Sequence, residues 1–221
     1  MRAGTVEARI AKRARIVLLA ADGASNLGNG LRGVFVYGSA HDNQIGGFFA
    51  GAGNVIAFNH DDGVLIGRNS NSPVSLEAGP GNGVGENSIF SNGKLGIELG
   101  PDTGVPAVNN SAGLVINAPT LSSAVTQGVS NSFTLNGNWQ SNTFTQGVYL
   151  VEVFANVTPN ASGHGEGKIF LGDDIIQPST NSTNFSFFIG GDANAAGQVI
   201  SCTITDPLNN TSEFSNDVTV S

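Results

Sequence analysis

Three segments of the chain share one order of polar and apolar positions: NGLRGVFV at 29–36, NHDDGVLI at 59–66 and NGKLGIEL at 92–99. Each reads Asn-x-x-x-Gly-aliphatic-x-aliphatic, and the leading Asn stands at 29, 59 and 92. A period of roughly thirty residues marks a stacked repeat architecture. The units are full of Gly and Asn and carry no 3.6-residue periodicity, so helical repeats are excluded. Two aliphatics flanking one other residue follow the period of two of a strand, with the pair facing inward. The frame therefore predicts short strands wound into about three coils over residues 27–118, a parallel β-helix. Gly at the corner supplies close approach or positive φ. Asn at the preceding corner tolerates the left-handed region and can hydrogen-bond to the Asn one coil away.

Other runs fill the remaining sides of each coil. NQIGG (43–47) and PVSL (73–76) are assigned to a second side, NVIAFN (54–59) and NSIFSN (87–92) to a third. The stretch RNSNSPVSLEAGPGNGVG (68–85) reads as a protruding loop, and GNGVGE (81–86) as loop alone, because no strand-turn-helix surrounds it. From about residue 119 to 221 the pattern changes to short alternating strands, among them FTLNGNW, YLVEVFANV, NFSFFIG and QVISCTITD, separated by turn clusters. That spacing predicts an antiparallel sandwich of immunoglobulin-like size. The expected fold class is all-β, with one helical exception. Val6, Ile10, Ala14 and Val17 recur at helical spacing, which predicts a helix over 5–21 within an N-terminal unit of 1–26. Such a helix would cap the open end of the stack.

The segments GAGNVIAFNHDDGVLI, NSIFSNGKLGIELG and DPLNNTSEFS resemble the repeats and tail of right-handed parallel β-helix proteins found on or outside bacterial cells. VEVFANVTPNASGHGEGKIFLG resembles the immunoglobulin-like sandwich that commonly follows such coils. The resemblance spans residues 27–221 and implies a secreted or cell-surface location; it is specific for fold and weak for activity. Residues 11–26, AKRARIVLLAADGASN, resemble the first helix and turn of the helix-turn-helix domain of some transposases. DNA reading requires a second helix in the groove, and here strand frame follows instead.

Composition narrows the partner. Gly contributes 31 of 221 residues, charged residues 12%, and the net charge is −8, which disfavours nucleic acid and anionic membranes. Five of nine basic residues fall within the first fifteen positions, which makes the remainder still more acidic. No apolar run reaches membrane-spanning length, and IVLLAA (16–21) is short for a signal-peptide core. Cys202 is the only cysteine, and its place in VISCTIT reads as a buried thiol beside Ile200 and Ile204.

Candidate chemistry rests on carboxylates. Asp61 and Asp62, beside His60, stand at a coil corner, and Glu98 shares a column with Leu65 and Phe35 on the same sheet. Glu98 is the expected general acid, its pKa raised by apolar Leu65, with Asp61 or Asp62 ionised at a wetter corner as base or nucleophile. Exposed Phe35, Tyr37 and Leu65, with His60 and Arg68, would line the substrate. Glu77 and Glu86 flank the loop as the next candidates. Paired carboxylates suit hydrolysis of a neutral polysaccharide. The alternative is a non-catalytic adhesion, carbohydrate-binding or structural module. No cofactor is implied, apart from a calcium role open to Asp173 and Asp174, for which a simple turn is the plainer reading. Glu152, Glu166 and Glu213 are expected to hydrogen-bond loop backbone, and Trp139 to fill the sandwich core. Three coils bury little apolar surface, so a homodimer through the end of the stack is expected.

Overall fold

The computed structural model describes residues 28–103, 116–128, 131–141, 144–190 and 196–221, so the helix expected at 5–21 and its capping role lie outside the described residues. Those residues are all-β. The first half contains β1 (Val34–Val36), β2 (Gln44–Gly46), β3 (Val55–Ala57), β4 (Val64–Asn69), β5 (Gly83–Gly85), β6 (Ser88–Phe90) and β7 (Ile97–Asp102). They form three parallel sheets, β1-β4-β7, β2-β5 and β3-β6. The described residues thus complete two circuits and begin a third, where about three coils are expected.

The Asn-x-x-x-Gly frame sets the register. Val34 pairs with Val64 and Val64 with Ile97, so that Phe35, Leu65 and Glu98 fall into one column. Val36, Val64, Ile66, Ile97 and Leu99 join Ile56, Val84 and Ile89 in one buried core. Asn ladders tie the corners. Asn43 donates to Asn82 at 2.8 Å, Asn54 to Asn87 at 2.9 Å and Asn59 to Asn92 at 2.8 Å.

Two expectations are corrected here. The second side of the stack is made by β5, not by residues 73–76, which form a 3-10 turn within the long second circuit. Asn43 and Asn82 begin the matching segments, so the ladder rather than the apolar run marks the true partner. The left-handed backbone also falls one residue before the ladder Asn, at Asp42, Phe58, Glu86 and Ser91, whose φ angles are 55°, 61°, 49° and 55°. The Asn itself stays available to bond in two directions.

The second half contains β8 (Thr120–Thr126), β9 (Ser132–Gln140), β10 (Tyr149–Asn156), β11 (Ile169–Ile176), β12 (Ser182–Gly190), β13 (Val199–Thr205) and β14 (Val218–Thr219). Two antiparallel sheets, β12-β9-β8 and β11-β10-β13-β14, share one core. Trp139 is fully buried there, 4.8 Å from the Tyr149 ring, and donates its Nε1–H to the Asn117 carbonyl. Cys202 is also fully buried, and burial pushes its thiol up to about 12, which makes it an inert core residue.

The two halves meet at the final circuit of the stack. The last strand of a parallel sheet carries unpaired N–H groups, each costly if buried without a partner. Side chains of the second half take them one by one. Glu152 accepts the Glu86 N–H at 2.8 Å, Glu166 the Ser91 and Asn92 N–H groups at 2.7 and 2.9 Å, and Glu213 the Leu99 N–H at 2.8 Å. Thr211 accepts the Val84 N–H at 2.9 Å, and Ile89 exchanges two backbone bonds with Gly167. Phe154 and Phe214 enter the core of the stack. The three glutamates thus bond backbone, as expected, and together they terminate the stack.

Candidate functional site

The frame explains why the charges gather at one corner of the stack. In Asn-x-x-x-Gly the third x is Arg32 in the first segment and Asp62 in the second; the second x is Asp61 in the second segment and Lys94 in the third. Equivalent positions of adjacent circuits lie about 4.8 Å apart, so opposite charges at the same frame position pair. Arg32 Nε lies 3.7 Å from Asp62, and Lys94 Nζ lies 3.5 Å from Asp61.

Asp102 joins this group because β7 bends. Glu98 and Thr103 would be about 16 Å apart in an extended strand, yet the Thr103 N–H and Oγ1 both donate to Glu98 Oε1 at 3.2 Å. Gly100, with φ of 84°, bends the strand, which stays paired with β4 as far as Asp102. Asp102 then bonds Arg32 and receives Lys94 Nζ at 3.1 Å. One oxygen from each of Asp62, Glu98 and Asp102 lies within 4.8 Å of the others.

Environment separates the three acids. Burial pushes Glu98 up to about 7, against the hydrogen bonds from Thr103, with Asp62 and Asp102 adding repulsion. Burial also raises Asp62, and nearby Asp102 adds to it, against bonds and charges from Leu95, Lys94 and Arg32. Burial would raise Asp102 too, but hydrogen bonds from Arg32 and Lys94 outweigh it and hold the carboxyl low.

Several expectations about exposure fail. Leu65 and Glu98 are fully buried, so the column does not form an open outer face. Arg32 belongs to the first circuit, Asp102 to the third, and the guanidinium sits 5.0 Å from the Phe35 ring centroid. Their ion pair therefore crosses the middle circuit on the side that carries Leu65. Asp62 is likewise buried rather than at a wet corner. Phe35 is half-buried and stacked on Tyr37 at 4.7 Å; Tyr37 remains exposed. His60 points to solvent beside Asp61, whose side chain is 14% exposed. Arg68 is turned away, paired with Glu77 at 3.1 Å and donating to the Ser72 carbonyl at 2.8 Å.

The remaining acids divide between edge and joint. Asp173 and Asp174 lie inside edge strand β11, not in a turn. Successive strand residues point to opposite faces, so the two do not converge on one ion; charges on an edge strand discourage further pairing. Arg32 and Lys94 already neutralise Asp62 and Asp102, so that cluster does not offer a hard cation the six or more oxygens it requires. Arg32, Lys94 and Asp102 were not among the candidate site residues. The charge complement at equal frame positions was the signal for the first two.

No protein-family model matches this chain, and no curated protein matches it. Among the described residues no helix is long and apolar enough to cross a membrane.

Proposed function

We propose that the chain is a non-catalytic, carbohydrate-binding module of the cell surface or extracellular space. In this reading residues 27–118 form a short right-handed parallel β-helix and residues 119–221 an immunoglobulin-like sandwich fixed to its end. The observation that carries it is the closure of the carboxylate cluster. Acid and base of a retaining glycosidase stand about 5–5.5 Å apart with the sugar between them, and inverting pairs stand farther apart. Asp62 and Glu98 are fully buried and within 4.8 Å of each other and of Asp102, with Arg32 of the first circuit paired to Asp62 and Asp102 and Lys94 of the third paired to Asp102. A network that spans three circuits holds the stack together.

The carbohydrate part of the reading is supported by chemistry. An acidic chain, with 17 Asp and Glu against 9 Lys and Arg, disfavours an anionic polymer and leaves a neutral one. The partner is a neutral polysaccharide, with no role for nucleic acid or membrane.

Glycoside hydrolysis is the second reading, favoured by one observation. Glu98 sits near 7 while Asp102 is held low, the separation that a general acid and its partner need. Incubation with a panel of neutral polysaccharides separates the two. Retention on an immobilised polysaccharide without release of reducing ends supports the binding module. Reducing ends that appear with the parent and vanish with Glu98→Gln establish the hydrolase.

A further inference from the structure

We propose that the outer face of the β8-β9-β12 sheet is a binding trough for a neutral oligosaccharide chain, which names the site for the binding reading above and rests on it. The registers lay this face out as rows across three strands. Thr120, Asn138 and Asn184 make one row, Ser123, Asn136 and Ser186 the next, and Val125, Thr134 and Phe188 the third. The opposite faces of the same strands carry Leu121, Ala124, Phe133, Leu135, Trp139, Phe185 and Phe187 into the core, so the rows face solvent.

The face is hollowed rather than flat. A bulge at Ser122 shifts the pairing of β8 and β9 between Leu121 and Ser123, and bulges bend the strand that carries them. The depression has a volume of about 510 Å³, within the roughly 300–1,000 Å³ range of ligand sites.

Its chemistry points to sugar hydroxyls. None of the residues that line it is ionisable. Asn138 donates to Asn184 Oδ1 at 2.9 Å and to the Thr183 carbonyl at 3.1 Å, which fixes both amides. That leaves the Asn184 N–H groups as donors and the Asn138 Oδ1 as an acceptor. Asn136 donates to Ser123 Oγ at 3.1 Å and keeps its own Oδ1 for an incoming hydroxyl. Fixed donors and acceptors side by side match vicinal diols, which present both. One row further along β12, Phe188 leaves 67% of its surface exposed and offers a flat apolar ring on which the C–H face of a pyranose can stack. A charged ligand finds no counter-ion here, and a protein partner would gain little from a polar hollow with one ring at its rim.

The test is calorimetric titration of the full chain with cellohexaose, xylohexaose, mannohexaose and maltohexaose. At least one is expected to bind, with Asn184→Ala and Phe188→Ala each weakening it at least tenfold at unchanged melting temperature, and Ile175→Ala, exposed on β11 of the other sheet, leaving it unchanged. Both trough residues are exposed, and Asn184→Asp, which keeps size but replaces the donating amide with an acceptor, serves if either alanine variant misfolds. Binding that neither trough variant weakens overturns the site while the carbohydrate-binding function stands. Failure of all four sugars to bind the parent overturns both.

Discussion

Glu166 and Asn92 lie seventy-four residues apart, and one carboxylate serves the other residue twice: Oε1 accepts the Asn92 backbone N–H and its Nδ2, each at 2.9 Å. Oε2 takes the neighbouring Ser91 N–H at 2.7 Å. Asn92 in turn accepts from Asn59 at 2.8 Å, so the carboxylate anchors a ladder that runs back through the stack. Glu166→Ala leaves the part-buried Ser91 and Asn92 N–H groups without this acceptor, while Asn92 Nδ2 keeps the Ile56 carbonyl at 3.2 Å; a donor left unpaired costs about 1–3 kcal/mol. We expect a loss of about 2–4 kcal/mol in chemical denaturation, with Glu166→Gln losing less. A loss below about 1 kcal/mol for the alanine variant would remove the capping role.

The buried carboxyls set the pH dependence. Burial raises Glu152 to about 8 and Glu98 to about 7, both above the ordinary 4.5. Between 4.5 and those values the folded state holds more protons than the unfolded chain, so stability falls as pH rises, by at most about 1.4 kcal/mol per unit for each group. Asp102 works in the opposite sense, but only at pH near and below its ordinary 3.8. The melting temperature should therefore be higher at pH 5 than at pH 8.5, by about 5–15 °C at the roughly 2–4 °C per kcal/mol of a chain this size. Glu152→Gln should flatten the profile, because Glu152 Oε2 has no hydrogen-bond partner among the described residues and a neutral amide suits that site. A flat parental profile contradicts this account.

Backbone strain offers a stabilising change. Ser91 is exposed and holds φ at 55°, a conformation costing a side-chain-bearing residue about 1–2 kcal/mol. Its N–H, not its side chain, meets Glu166. Ser91→Gly should raise stability by up to about 1 kcal/mol after the added freedom of the unfolded chain is offset. Urea denaturation that shows a loss instead places the side chain in a contact that matters.

The repeats could be read from the sequence because they depend on local chemistry repeated at a fixed interval. Asn59 and Asn92 announced the ladder, and Val64 and Ile66 announced the inward face. β5 was missed because GVG has one aliphatic, so its strand identity comes from pairing with β2 rather than from its own pattern. The raised pKa of Glu98 followed from its column neighbour Leu65, but its complete burial did not. That depends on Arg32 meeting a carboxylate seventy residues away, after a bend at Gly100. Non-local ion pairs leave no periodic trace.

Self-association remains a direct expectation. Leu31, Tyr37, Phe49 and Val55, all of the first circuit, are each at least half exposed. A second copy that packs the same surface against itself would cover them. Sedimentation at micromolar concentration should show a dimer, and Val55→Asp a monomer. A parental chain that sediments as a monomer rules this out.

The central claim is that the carboxylate cluster builds the stack and performs no chemistry, and assay of reducing ends on a neutral polysaccharide that retains the protein tests it most directly. The account predicts retention, no product above the protein-free control, and a clear loss of stability in Arg32→Ala. Product release by the parent that Glu98→Gln abolishes, with the fold intact, would contradict it.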